Sequence, residues 1–142
     1  MTTPRQDRLD ALKATIRARG LRATPARVSV LDAIRTADVP LSLADVARRL
    51  SRNKLDRATI FRNLTTLTRT RLVRRIDPGD RIWRFVLEDD TSSWRADFVC
   101  LACGSMQVLE DVELVVGMSG APRVIAKREI ELHVHGFCDR CT

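Results

Sequence analysis

The sequence predicts an α+β protein, in which an N-terminal winged helix-turn-helix is followed by a small α/β domain. Three observations support this division. Four segments with a helical spacing of apolar residues lie within residues 6–70, and two β-type runs around a turn follow them. All four cysteines fall in the last 43 residues. We therefore predict one domain at residues 1–87 and a second at residues 88–142.

The predicted helices span residues 6–19, Ala26–Ala37, 43–50 and Arg57–Thr70. Gly20 ends the first helix, while Thr24 and Pro25 are a favourable N-cap and first position for the second. Ser42 and Asp56 are the predicted N-caps of the third and fourth. The side chains expected in the core are Leu9, Leu12, Ile16, Val28, Val30, Leu31, Ile34, Leu43, Val46, Ala47, Leu50, Ile60, Leu64 and Leu67.

The helical spacing ends at residue 72. The run LVRRIDPGDRIWRFVL predicts a basic hairpin whose turn is Asp77–Asp80, and helices followed by such a hairpin are typical of a winged helix. The polar segment Glu88–Ser93 predicts a hinge. Beyond it we predict strands at Asp97–Leu109 and Val124–Phe137 and a short helix at Glu110–Gly117.

Charge is distributed unevenly along the chain. Residues 1–87 hold 20 Lys and Arg against 8 Asp and Glu, a net charge of +12, and 18 of these cations are arginine. Residues 88–142 hold 5 against 10, a net charge of −5. A basic first domain predicts a polyanionic partner, and the arginine fork suits phosphate oxygens and base edges.

The first residues carry charges throughout and lack the apolar core of a signal peptide. No apolar run approaches the roughly 18 residues of a membrane span. We expect a cytoplasmic protein, in which thiols stay reduced and structural disulfides are rare.

The cysteines form two pairs, Cys100-x2-Cys103 and Cys138-x2-Cys141. Two such knuckles supply the four thiolates of a tetrahedral zinc site, and a closed site of this kind indicates a structural rather than a catalytic metal. Two alternatives remain at this point. One pair alone would fit a thioredoxin-like redox motif, and two disulfides would fit a secreted protein.

Three motifs together resemble those of the ferric uptake regulator (Fur) family of bacterial repressors. They are GLRATPAR at 20–27, ATIFRNL at 58–64, and the cysteine pairs CLACG and GFCDRC. The resemblance extends from about Leu9 to Cys141. It implies an N-terminal winged helix, a hinge and a zinc-containing α/β dimerisation domain. It also implies a homodimer that binds double-stranded DNA at a palindromic operator, with one structural zinc per chain.

The resemblance further implies which residues contact DNA. Arg22 matches a basic residue that enters the minor groove in this family. The recognition helix would present Arg57, Thr59, Phe61, Arg62 and Asn63, with Phe61 standing where the family commonly has tyrosine. Arg27, Arg62, Arg74 and Arg75 are expected to contact phosphate, which positions the protein without specifying sequence.

The family's regulatory metal ligands are largely missing. The segment before the first cysteine pair is rich in histidine in the family, but here these places hold Ser93, Trp94, Arg95 and Asp97. Other usual ligand positions hold Pro40, Arg84, Val108 and Ile130. Arginine, proline, valine and isoleucine cannot coordinate a metal in this way. The sequence therefore predicts the structural zinc without the usual sensor.

Three accounts of regulation stay open: no metal signal, oxidation of the zinc thiolates, or an unconventional second metal site. The candidates for that second site are Glu131, His133, His135 and Asp97. The first three alternate along one predicted strand, and the simpler interpretation is that they form its solvated polar face.

Two other function classes compete with a DNA-binding regulator. A thiol-redox enzyme would use the CxxC pairs, and an RNA-associated zinc module would use the basic surface. No arrangement of Ser, His and Asp or of paired carboxylates indicates catalysis, and the recognition segment has one aromatic residue, Phe61, where an RNA binder usually displays several. We predict a regulator that is not an enzyme and has no small-molecule substrate.

Overall fold

The computed structural model describes residues 2–88, 94–109, 113 and 130–142. The chain divides into two compact units, Met1–Glu88 and Asp89–Thr142. Their boundary lies one residue after the one predicted from composition and spacing. Among the described residues, no helix has the length and apolar character needed to cross a membrane.

The first unit contains four α-helices, a short 3-10 helix and three strands. They are α1 (Pro4–Ala18), α2 (Pro25–Arg35), β1 (Leu41–Ser42), α3 (Leu43–Arg49), the 3-10 helix Ser51–Asn53, α4 (Arg57–Arg69), β2 (Val73–Ile76) and β3 (Arg84–Leu87). All four predicted helices are present. The 3-10 helix and the two-residue strand β1 have no counterpart in the prediction, because such short elements carry no periodicity.

Side-chain caps determine where the helices begin. The Thr24 hydroxyl accepts a hydrogen bond from the Arg27 N–H, and Pro25 occupies the first position of α2. Ser42 and Asp45 form a reciprocal capping box at the start of α3. The Asp56 carboxylate accepts the Thr59 N–H at 2.6 Å and caps α4.

One apolar core joins α1 to α4 and the hairpin. The predicted core residues are buried or half-buried, and Ile16, Val30, Val46, Ile60, Leu64 and Leu67 have no exposed surface. In α4, Ile60, Leu64 and Leu67 recur at helical spacing and therefore lie on one face. This packing fixes the opposite face of α4 towards solvent.

The three strands of the first unit form an antiparallel sheet in the order β1-β3-β2. Strand β2 pairs with β3 from Val73 opposite Leu87 to Ile76 opposite Arg84. The hairpin turn therefore includes seven residues, 77–83, rather than the four predicted from the Asp-Pro-Gly-Asp signal alone. Helices α1 to α4 followed by this hairpin are the predicted winged helix.

The described part of the second unit is a three-stranded sheet. Strands β4 (Trp94–Cys100), β5 (Met106–Val108) and β6 (Ile130–Gly136) lie in the order β5-β4-β6, with β4 antiparallel to β5 and parallel to β6. The segment Asp97–Leu109, predicted to be strand-like around the first cysteine pair, contains the end of β4 and the whole of β5, joined by a turn at that pair. The helix predicted at Glu110–Gly117, most of the hinge Glu88–Ser93 and the start of the strand Val124–Phe137 lie outside the described residues.

Candidate nucleic-acid interface and cysteine cluster

The first half of α4 exposes two arginines and a phenylalanine. Arg57 and Arg62 are exposed, and Phe61 keeps 49% of its surface accessible. The Arg62 Nη2 donates to the Thr59 hydroxyl at 3.2 Å, so the helix itself orients this guanidinium. An exposed aromatic ring between two cations gives α4 both anion-binding and apolar contact groups.

Asn63 belongs to the other side of this helix. It is 8% exposed, and its side-chain amide donates to the Thr59 carbonyl at 2.9 Å. The expectation that α4 presents Asn63 outward does not agree with this burial. Asn63 follows two exposed residues in the sequence, but the 100° step of the helix turns it towards the core.

Arg22 and Arg27 differ in exposure. Arg22 is exposed in the segment between α1 and α2, whereas Arg27 is half-buried at the start of α2. The Arg27 Nη1 donates to the Arg22 carbonyl oxygen at 2.7 Å. Arg27 therefore supports the backbone that presents Arg22, which is a different role from the predicted phosphate contact.

The two adjacent arginines of β2 are also in different environments. Arg74 is 7% exposed, so its predicted contact with phosphate is at odds with its position in the structure. Arg75 is exposed, and its guanidinium lies 3.3 Å from the centre of the Trp83 ring. Strand alternation separates the two side chains, and packing covers the one on the inner face.

The hairpin turn presents residues that the sequence analysis did not single out. Ile82 is 51% exposed and Trp83 is 42% exposed, beside the exposed Arg81. The sequence itself distinguishes these two residues, since adjacent isoleucine and tryptophan residues are uncommon in a solvated basic turn. The spacing of apolar residues predicts only a β-type run here.

The two cysteine pairs meet because β4 and β6 are parallel. Cys100 ends β4 and is paired in register with Gly136, which ends β6. The ends of two parallel strands lie at the same edge of a sheet, so the turn after β4 and the turn after β6 are neighbours. The Leu101 N–H donates to the Gly136 carbonyl at 2.8 Å and ties the two turns together.

Each pair lies in a tight turn. In the first, the Gly104 N–H donates to the Cys100 carbonyl at 2.9 Å, and Gly104 adopts a φ of 70°. A positive φ here favours glycine, because a Cβ would strain the backbone. In the second, the Cys141 N–H donates to the Cys138 carbonyl at 2.8 Å. Both turns direct their thiols to one point.

The four sulfur atoms of Cys100, Cys103, Cys138 and Cys141 all lie within 4.8 Å of one another. The Cys103 and Cys138 sulfurs are 3.8 Å apart, which is too far for a disulfide. A tetrahedron with metal–sulfur bonds of about 2.3 Å has edges of about 3.8 Å. The arrangement therefore fits a metal ion held by four thiolates, and among the described residues it is the one group of this kind.

The pKa values of the cluster indicate how the thiols share charge. Backbone N–H groups of Cys103 and Cys138 lower the pKa of Cys100 to about 6, and the Cys138 N–H lies 3.4 Å from its sulfur. Hydrogen bonding from Ser105 lowers the pKa of Cys103. The thiols of Cys138 and Cys103 raise the pKa of Cys141 to about 12. Four thiolates this close require a cation, which a divalent metal supplies.

The candidates for a second metal do not form a comparable group within the described residues. Asp97 has no exposed surface, and its Oδ2 lies 4.0 Å from the Nδ1 of His133, which it faces across the parallel pair β4–β6. His135 is exposed. Glu131 is opposite Arg95 in the same register. Pairing in register brings Asp97 and His133 together, whereas His135 is in register with Val99 and Glu131 with Arg95.

Comparison with known proteins agrees with this architecture. A model described as "Ferric uptake regulator family" matches residues 18–136. The ferric uptake regulation protein of Bacillus subtilis is 26% identical over 145 residues, which cover 96% of this chain and 95% of that protein.

Solved structures share the fold. The ferric uptake regulator of Vibrio cholerae superimposes with a TM-score of 0.67 at 20% identity, covering 89% of this chain and 98% of that chain. A zinc uptake regulator complexed with zinc and DNA gives a TM-score of 0.65 at 23% identity, covering 98% of this chain and 95% of that chain. These likenesses confirm the predicted α+β fold with its winged helix.

The matching family model covers residues 18–136, which is well over half of the chain. It also confirms that the protein is not an enzyme, because members of this family regulate transcription. The chain belongs to the ferric uptake regulator family of DNA-binding transcription regulators.

Proposed function

We propose that this protein is a transcriptional repressor that binds a palindromic operator as a homodimer, with α4 in the major groove. The observation that carries the proposal is the two-sided character of α4. Ile60, Leu64 and Leu67 are buried completely, so Arg57 and Arg62 are held rigidly outward. A rigid helix with outward arginines matches how a recognition helix reads base edges and phosphates.

Each remaining contact residue has a role set by its surroundings. Arg57 and Arg62 donate to base edges or phosphate, while Phe61 contacts a thymine methyl and, unlike tyrosine, cannot hydrogen-bond. Arg22 enters the minor groove, where narrow A·T-rich segments concentrate negative potential. Thr59 orients Arg62, and Arg27 supports Arg22. Arg75 contacts the DNA from the hairpin.

A palindromic operator follows from dimerisation, because a two-fold symmetric protein presents two copies of α4 to two half-sites. Support comes from the second unit of the chain, which matches the family over the region that the resemblance assigns to dimerisation. The zinc uptake regulator with the same fold was solved complexed with zinc and DNA.

The reducing cytoplasm suits a DNA-binding protein with four free thiols.

We further propose that the four cysteines hold one zinc per chain. Bound zinc would supply four metal–sulfur bonds and no catalysis, because four protein ligands leave no position for water or substrate. Cys100 and Cys103 would hold it from the turn after β4, and Cys138 and Cys141 from the turn after β6. The metal would thereby fix the parallel pair β4–β6 at the end where both strands finish, at Cys100 and Gly136.

We propose that the cysteine cluster is the protein's metal site and that Asp97, Glu131, His133 and His135 hold no regulatory metal. The burial of Asp97 and the exposure of His135 support this assignment. Native mass spectrometry before and after addition of zinc, manganese or iron(II) tests it. We expect a dimer with one zinc per chain and no further specific uptake; a second specific metal per chain contradicts the proposal.

The DNA-binding proposal is tested by selecting duplexes from a pool with a random core of about 30 base pairs, with bound zinc present. We expect enrichment of a palindrome. Arg62→Ala should weaken binding to that duplex by about 10- to 100-fold. It should also reduce, by about one, the salt slope, which is the slope of log affinity against log salt concentration. Arg35→Ala, which removes an exposed arginine at the end of α2, is the matched control. Equal affinity for the single-stranded RNA of the same sequence would contradict the proposal.

A further inference from the structure

The turn of the β2–β3 hairpin is held in one shape by its own side chains. The Asp77 Oδ1 accepts the Gly79 N–H at 2.9 Å, and the Asp80 Oδ1 accepts the Ile82 N–H at 3.0 Å. The Arg84 Nη1 then donates to Asp80 at 2.7 Å and to the Ile82 carbonyl at 2.6 Å. Arg84 is thus committed to the turn, and the turn is preorganised.

This shape presents three consecutive side chains to solvent. Arg81 has a φ of 64°, a left-handed conformation that strains a non-glycine residue. Ile82 and Trp83 follow it with 51% and 42% of their surfaces exposed. The turn therefore keeps an arginine in a left-handed conformation and exposes two large apolar side chains.

The charge of Arg75 is held against this apolar surface. Its guanidinium stacks on the Trp83 ring at 3.3 Å, and Arg75 lies on β2 opposite Phe85 of β3. A stacked guanidinium loses less side-chain freedom when it binds, because its plane is already oriented. Lysine would keep the charge at this position but not the planar stack.

The partner of such a surface must be anionic and must also accept apolar groups. Residues 74–84 contain four arginines and two aspartates, and one of those aspartates is neutralised by Arg84. The hairpin follows α4 directly, and the Leu72 N–H donates to the Leu67 carbonyl of that helix at 3.0 Å. Duplex DNA bound by α4 meets both conditions, since its minor groove accepts arginine and apolar wedges between base steps.

We propose that Arg75, Ile82 and Trp83 form a wedge that enters the minor groove beside the bases read by α4 and bends the duplex there. This inference rests on the proposed function and deepens it. It differs from a phosphate contact by the hairpin, because a phosphate contact needs only the charge of Arg75. The wedge needs the ring of Trp83, the side chain of Ile82 and the planar guanidinium.

The test uses the zinc-loaded full chain and the duplex enriched by the wild type. Trp83→Ala should weaken binding about tenfold and reduce the bend measured by energy transfer between dyes at the duplex ends. Arg75→Lys should weaken binding to the duplex by a similar factor while keeping the wild-type salt slope, since the charge is retained. Arg35→Ala is again the matched control. The wedge is overturned if Trp83→Ala and Arg75→Lys both bind and bend the duplex as the wild type does.

A second measurement does not require the Trp83→Ala and Arg75→Lys variants to fold. The chain has two tryptophans, Trp83 and Trp94, so Trp94→Phe leaves Trp83 as the sole fluorophore. Saturation with the duplex should reduce acrylamide quenching of its emission at least twofold. Unchanged quenching at saturation refutes the wedge.

Failure of the wedge and failure of the proposed function give different experimental results. If Arg62→Ala loses binding while the Trp83 and Arg75 variants do not, the proposed function stands and the wedge fails. If the wild type enriches no duplex at all, the proposed function fails and the wedge fails with it.

Discussion

In the unit Met1–Glu88 the described residues include 17 buried apolar side chains, whereas those of the unit Asp89–Thr142 include four. All four α-helices of the first unit also begin at a side-chain cap, namely Thr3, Thr24, Ser42 and Asp56. The second has instead a buried Cys100 at the end of the central strand of a three-stranded sheet, where two cysteine knuckles converge.

The difference shows two ways of stabilising a small unit. Burial of apolar surface contributes about 25 cal/mol per Å² and suits the helical unit, whose core is continuous. A short sheet with few buried apolar residues gains more from a cross-link between its strand ends, because small domains often depend on a metal. The following predictions separate the two mechanisms, beginning with the largest expected effect.

Loss of one cysteine should unfold the second unit and spare the first. In Cys138→Ser, or after zinc is chelated, we expect hydrogen exchange protection to disappear from 94–109 and 130–142 and to persist in α1 to α4. In such sites the free energy of metal binding contributes directly to the free energy of folding. Leu101→Ala changes an exposed residue in the other cysteine turn, after β4, and should keep protection. Retained protection of both units in Cys138→Ser would show that the cluster is not a structural site.

Leu64→Ala should destabilise the first unit by about 2–5 kcal/mol, since it leaves a cavity beside Ile60 and Leu67 in a fully packed core. Urea unfolding followed by circular dichroism at 222 nm measures this change, because all the described α-helices lie in that unit. Thr65→Ala, on the exposed face of the same helix, should change stability by less than about 0.5 kcal/mol. Equal effects of the two variants would contradict the assignment of the core face.

Ser42→Ala should lower the free energy of unfolding by about 1 kcal/mol, because it removes the hydroxyl that accepts the Asp45 N–H at 3.1 Å. The same urea unfolding experiment measures it, with Ser51→Ala as the control in an exposed 3-10 turn. A loss no larger in Ser42→Ala than in Ser51→Ala would mean that the capping box does not stabilise α3.

The capping box should also make stability depend on pH. The Ser42 backbone N–H, with its hydroxyl, lowers the pKa of Asp45 below the ordinary 3.8. The carboxylate therefore contributes fully above pH 3.8, and its contribution is lost as pH falls through the lower folded-state pKa. The difference in urea midpoint between wild type and Asp45→Asn should shrink between pH 6 and pH 3. A constant difference would exclude the carboxylate as its cause.

Lys13→Ala should produce the smallest effect. The Lys13–Asp10 ion pair is 2.8 Å long, but it is exposed on α1 and screened by water and salt. We expect no measurable shift of the urea midpoint at 0.15 M salt. A shift as large as that of Ser42→Ala would show that surface charge, in addition to the core, stabilises the helical unit.

Local features of the fold could be predicted from the sequence because their causes are local. Thr24–Pro25, Ser42 and Asp56 begin helices where predicted, since a cap depends on residues within one turn. The buried stripe of α4 followed from helical periodicity alone. The Cys-x2-Cys spacing predicted two knuckles for the same reason.

Side-chain exposure was less predictable. Asn63 and Arg74 were expected to face DNA and are buried, and Trp83 and Ile82 were expected in a strand and are exposed in a turn. Exposure depends on which neighbouring elements cover a residue, and those neighbours are distant in sequence. The stack of Arg75 on Trp83 likewise joins residues on opposite sides of the hairpin.

The sequence by itself determined the α+β class, the helix starts, the basic first unit and the presence of two cysteine pairs, because composition and short-range spacing specify these features. Only the tertiary structure decided that the pairs form one cluster, since the parallel register of Cys100 with Gly136 brings their turns together. The tertiary structure also decided which arginines face solvent. Long-range pairing and packing set both outcomes, and neither leaves a signal within a few residues of the groups concerned.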